Sequence, residues 1–83
     1  MPQYWISFRS LTHAQRAARI LERNAITATV SRLPQGLSPK GCGSAVIVRR
    51  RIQDAVRLLG EAQIPGGMVF EKTERGDFRE VSL

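Results

Sequence analysis

The sequence predicts an α+β fold: a four-stranded antiparallel sheet with two helices packed on one face. Two stretches carry apolar residues at i, i+3, i+4 and i+7, namely Ala14, Ala17, Ala18, Leu21 and Ile52, Ala55, Val56, Leu59. That spacing draws one apolar stripe along a helix. Around them lie four short runs rich in aromatic or aliphatic residues, which read as strands. The resulting order is strand, helix, strand, strand, helix, strand, the ferredoxin-like βαββαβ pattern. With 83 residues the chain makes one domain and buries only about 60% of its unfolded surface. We take residues 1–72 as that domain, and 73–83 as a polar C-terminal tail or an added edge element.

The elements follow in order. Tyr4 to Phe8 alternates enough to be a strand, with Tyr4, Ile6 and Phe8 on one face and Trp5 and Ser7 on the other. Ser10 and Thr12 both offer N-caps, and Thr12 stands three residues before Gln15, the capping-box spacing. The first helix runs to about Asn24, a tolerable left-handed C-terminal residue. Arg16, Arg19 and Arg23 lie opposite its apolar stripe, as the solvent face of an amphipathic helix. Ala28 to Leu33 forms the second strand. The loop from Pro34 to Ser44 holds three Gly and two Pro. Ala45-Val46-Ile47-Val48 is a continuous apolar run, suited to a central strand. The second helix ends near Ala62, Pro65-Gly66-Gly67 breaks the chain, and Met68 to Phe70 is the fourth strand.

Composition removes several functions. The lone Cys cannot form an internal disulfide, and with a lone His it cannot build a four-ligand zinc site unaided. A hydrophobic content of 42% argues against disorder. No charged leader region precedes an apolar stretch, and no apolar run reaches the length of a membrane span, so the expected compartment is the cytoplasm. No cofactor is expected. The net charge of +6 is uneven: residues 1–57 carry a net +8 and residues 58–83 a net −2. A partner drawn by the positive field meets the first two-thirds of the chain.

The topology brings the Pro34–Ser44 loop to the end of the sheet where the first helix begins. Cys42 sits there between Gly41 and Gly43. Structural cysteines usually occupy apolar helices or strands. Flanking glycines instead let another backbone or a ligand approach the sulfur. Lys40 and the nearby helix N-terminus would both favour the thiolate, the nucleophilic form. The residues alone leave two roles open, a functional thiol and a loop cysteine packed for convenience.

An ordered set of features resembles the small bacterial family of selenium/sulfur carrier-like proteins. It comprises the aromatic-aliphatic strand Tyr4–Phe8, the turn at Ser10, the Ala-rich helix Ala14–Leu21, a strand ending at Pro34, then Ser38 and the pair Cys42-Gly43. The resemblance covers residues 4–72. Two departures stand out: Arg50-Arg51 where the family has acidic residues opening the second helix, and an inserted Pro39-Lys40. The resemblance implies a carrier, more than a stand-alone catalyst, whose Cys42 holds sulfur or selenium as a persulfide or selenopersulfide. Its partners would be a donor enzyme and an acceptor. Ser10, Thr12, His13, Ser38, Lys40, Gly41 and Gly43 would line the binding site around the sulfur.

The remaining features have plainer readings beside the functional ones. His13 could shuttle a proton for Cys42, or simply sit exposed in a first helical turn. Ser10 and Thr12 serve as caps before they serve as nucleophiles. Arg49-Arg50-Arg51 opposes the dipole of the second helix. It is either solvated charge at a strand–helix junction or an anion or partner patch, and the topology sets it a strand-length from the cysteine. Trp5 faces away from the helices, where a second copy could pack to form a homodimer, or where a tail residue covers it. Arg75-Gly76-Asp77 is a chance tripeptide.

Two competing functions are set against the carrier. A basic RNA- or phosphate-binding module would use the charge. The RNA form of it needs stacking aromatics on the central strands, and the third strand has none. Nucleic acid is therefore possible but not favoured. A dimerising ligand-binding regulatory domain is the other, but no loop specifies a ligand, and Gly36, Gly41 and Gly43 lack the spacing of a phosphate loop.

Overall fold

The computed structural model describes residues 3–34, 37, 43–64 and 67–81. Strand β1 spans Gln3–Phe8, helix α1 Leu11–Arg23, β2 Ala28–Arg32, β3 Ser44–Val48, helix α2 Ile52–Glu61, β4 Val69–Lys72 and β5 Phe78–Val81. The strands form one sheet in the order β2-β3-β1-β4-β5, antiparallel at every pairing. Five strands replace the four expected. The fifth arises from the charged C-terminal stretch, where Arg79 and Glu80 separate Phe78 from Val81 and no alternating apolar pattern marks a strand. It forms because β4 offers an open edge to pair with.

Register explains the layers. Ile6 pairs with Val46 and Tyr4 with Val48 across β1 and β3, so the even-numbered residues of both strands share a face. Ile6, Phe8, Val46 and Val48 pack there with Ala14, Ala17, Ala18 and Leu21 of α1 and with Ala55 and Leu59 of α2. The three alanines of α1 leave room for its backbone to approach the sheet. The other face carries a second cluster of Trp5, Leu33, Ala45 and Phe70, with Leu37, Ile47 and Phe78 against it. The unbroken apolar run of β3 thus reflects burial from both sides.

Trp5 is only 8% exposed. Phe78 covers it edge-on, 5.3 Å between ring centroids. The tryptophan is satisfied within its own chain, and the reason it gave for a sheet-to-sheet dimer lapses.

The helix termini differ from expectation in detail. Ser10, not Thr12, is the N-cap of α1, because the helix already begins at Leu11. Ala25, not Asn24, is the left-handed residue at its end, at φ 62°. Ile26 N donates to Leu21 O at 2.9 Å and Ala25 N to Glu22 O at 3.1 Å, the paired bonds of a Schellman motif. Helix α2 ends identically. Gln63 takes φ 57°, while Ile64 N reaches Leu59 O and Gln63 N reaches Gly60 O, both at 3.1 Å. In each case the residue after the left-handed one is a buried isoleucine, and burying Ile26 or Ile64 in the core fixes where the helix stops. Among the described residues no helix is long and apolar enough to cross a membrane.

Candidate functional site

The loop between β2 and β3 is closed at its neck. Arg32 pairs with Ser44, and Leu33 N donates to Gly43 O at 3.0 Å. Leu33 is buried and Leu37 packs against the same cluster as Trp5 and Phe70, so apolar side chains anchor this hairpin to the helix-free face. Ser38, Lys40, Gly41 and Cys42 lie outside the described residues. Gly43 is exposed where the chain re-enters the sheet.

The neck lies beside the start of α1. Phe8, the last residue of β1, pairs with Ser44, the residue after Gly43. Two residues beyond Phe8, the Ser10 hydroxyl accepts a hydrogen bond from His13 N at 3.1 Å and lies 3.1 Å from His13 Nδ1. When the hydroxyl donates its own hydrogen to Nδ1, the neutral ring carries its proton on Nε2. The sequence expectation treated Ser10 and His13 separately; the structure joins them through this contact. Thr12 is exposed in the first turn.

Sequence reasoning missed the third wall of this end. Ser7 is buried at 3%, and its hydroxyl accepts from Met68 N at 2.8 Å and donates to Met68 O at 3.2 Å. Gly67 N donates to Ser7 O at 2.8 Å, which draws the segment after α2 against β1. A small polar residue two positions from Trp5 in the otherwise apolar run Tyr4–Phe8 was the available signal. Leu11 at 54% and Met68 at 37% are the exposed large hydrophobic residues among those described. Both stand at this end of the sheet.

Arg49, Arg50 and Arg51 lie at the opposite end, between β3 and α2. The five-residue strand β3 separates them from the loop by about 13 Å of rise. They line a cavity of about 430 Å³ together with Ala25, Ile26, Thr27, Thr29 and Ile47. Among the described residues no group of three or more His, Cys, Asp or Glu is placed to hold a metal ion.

A sequence-family model described as "Putative Se/S carrier protein-like" matches residues 3–71. The match takes in β1 through most of β4, the whole β2–β3 loop and the arginine end of the sheet. No curated protein and no solved structure matches the chain.

Proposed function

Because the chain belongs to the selenium/sulfur carrier-like family, we infer that it is a non-enzymatic cytoplasmic carrier that holds a chalcogen atom on Cys42. The observation that carries this reading is the family match across the loop that contains its single cysteine. The closed neck supports it. The chain enters and leaves this loop at Leu33 and Gly43, which are hydrogen-bonded to each other, at the end of the sheet that also carries Ser10 and His13. The strand order β2-β3-β1-β4 supports a ferredoxin-like scaffold with β5 added at its edge.

The transfer step is a thiol–disulfide type of exchange. The Cys42 thiolate attacks the outer sulfur of a donor persulfide. A new S–S bond forms to Cys42, the donor's S–S bond breaks, and the donor sulfur leaves with the electron pair as a thiolate. Delivery reverses the roles: an acceptor nucleophile takes the terminal atom and Cys42 departs as thiolate. No net oxidant is needed. In this reading Lys40, two residues from Cys42 in sequence, and the positive end of α1 would favour thiolate over thiol. Gly41 and Gly43, as the sequence neighbours of Cys42, would add no side-chain bulk beside the sulfur, and His13 would move the proton during handover. Ser38 and Thr12 would complete the polar surroundings. The exposed Leu11 and Met68 give donor and acceptor proteins an apolar foothold beside the loop.

Intact-mass measurement after exposure to a protein persulfide donor tests the reading. Wild-type chain is expected to gain one sulfur atom, lost again on reduction, and Cys42→Ser to gain none. A thiol that resists alkylation at neutral pH and takes up no sulfur would sink it.

A further inference from the structure

The strand–helix junction at the far end of the sheet consists of three consecutive arginines. Charges packed so closely repel one another, and among the described residues an acid meets only one of the three. Asp54 meets Arg51 at 3.1 Å and Arg57 at 3.5 Å; among the described residues neither Arg49 nor Arg50 has an ion-pair partner. Arg51 also holds a left-handed backbone at φ 58°, a conformation unfavourable for a residue with a Cβ. Its guanidinium donates to Asn24 O at 3.3 Å. This bond ties the junction to the end of α1.

The cavity has three kinds of wall. Ile26 and Ile47, with Ala25, supply apolar surface; Thr27 and Thr29 supply hydroxyls; Arg49, Arg50 and Arg51 supply the cations. Its volume of about 430 Å³ falls within the range of about 300–1,000 Å³ occupied by small-molecule sites. Guanidinium groups present planar forks that match phosphoryl oxygens bidentately.

We propose that this cavity binds a small organic phosphomonoester, its phosphoryl group on Arg49 and Arg50 and its organic body against Ile47 and Thr29. Single-stranded nucleic acid fits less well, because it needs exposed aromatics for its bases, and Trp5 and Phe70 are buried. An extended acidic peptide would leave the concave, partly apolar interior unused. The site lies a strand-length from the cysteine loop, and the proposal does not rest on the chemistry of Cys42.

Amide chemical-shift titration of the full chain tests it, with adenosine 5′-monophosphate as the probe. Inorganic phosphate, adenosine, a short single-stranded RNA and a glutamate-rich peptide are the comparisons. The monophosphate is expected to shift the amides of 25–29 and 47–51, and to bind at least about tenfold more tightly than adenosine or inorganic phosphate. The double variant Arg49→Ala/Arg50→Ala should weaken it by about tenfold or more, with a native spectrum elsewhere. Arg16→Ala/Arg19→Ala, which removes the same charge from the exposed face of α1, should leave binding unchanged. Several results would each overturn the proposal: no shifts at millimolar monophosphate; equal binding of inorganic phosphate; equal loss in the α1 variant; or tighter binding of the RNA or the peptide.

Discussion

The ring of Phe78 stands edge-on to Trp5, 85° between their planes, and so seals the helix-free face of the sheet with a residue from the charged C-terminal stretch. Lys72 Nζ lies 5.9 Å from the Trp5 ring and 5.6 Å from the Phe78 ring, a cation over both aromatics. Phe78→Ala is expected to cost about 2 kcal/mol, combining lost packing with the lost aromatic pair. Trp5 fluorescence should shift to the red as water reaches the indole, and self-association should rise through the uncovered face. Unchanged emission and unchanged stability in urea would show that β5 does not protect this face.

Gly67 admits no side chain. A Cβ there would lie 2.5 Å from Ser7 Oγ. That hydroxyl cannot swing aside freely, since it holds both Met68 N and Met68 O. Gly67→Ala is expected to destabilise the fold by about 1–3 kcal/mol. In a Ser7→Gly background the added cost of the alanine should largely vanish, because the clashing atom is gone. Additive losses in the double variant, measured by denaturant unfolding, would refute the contact as the cause.

Ala25 and Gln63 hold left-handed backbones without being glycine. Both are exposed, so their side chains contribute little packing to offset the strain. Ala25→Gly and Gln63→Gly are each expected to raise stability by up to about 1 kcal/mol. The two should add, since the motifs end different helices. A loss of stability in either variant would contradict the assignment of the left-handed position.

Ser10 caps α1 and Thr12 does not. Ser10→Ala is expected to cost about 1 kcal/mol, whereas Thr12→Ala should change stability by no more than a few tenths. Because Ser10 also meets His13 Nδ1, the imidazole resonances should move in the Ser10 variant and stay in place in the Thr12 variant. Equal thermal shifts in both would overturn this capping assignment.

Much of the fold is legible in the residue pattern. The apolar stripes of α1 and α2 read directly because each helix buries one side only, and Leu21 and Leu59 fall where the periodicity puts them. The end of α1 was less legible. Asn24 carries the commoner left-handed residue type, yet burial of Ile26 decided the register and pushed the strained conformation onto Ala25. Part of the site was equally hidden. The Ser10–His13 contact is local and follows the capping spacing, whereas Ser7 and Met68 are 61 residues apart and meet only because β4 pairs with β1.

Periodicity and composition are local properties, and they suffice to read this chain as a small α+β domain whose single cysteine stands between two glycines. Tertiary structure alone decided three things. Pairing at the open edge of β4 turned a charged stretch into β5 and buried Trp5. The Ser7–Met68 hydrogen bonds closed one end of the sheet. Packing of the α1–β2 link against the three arginines made a cavity out of what reads, in sequence, as a solvated run of charge. Each depends on contacts between segments distant along the chain, which no local pattern of residues records.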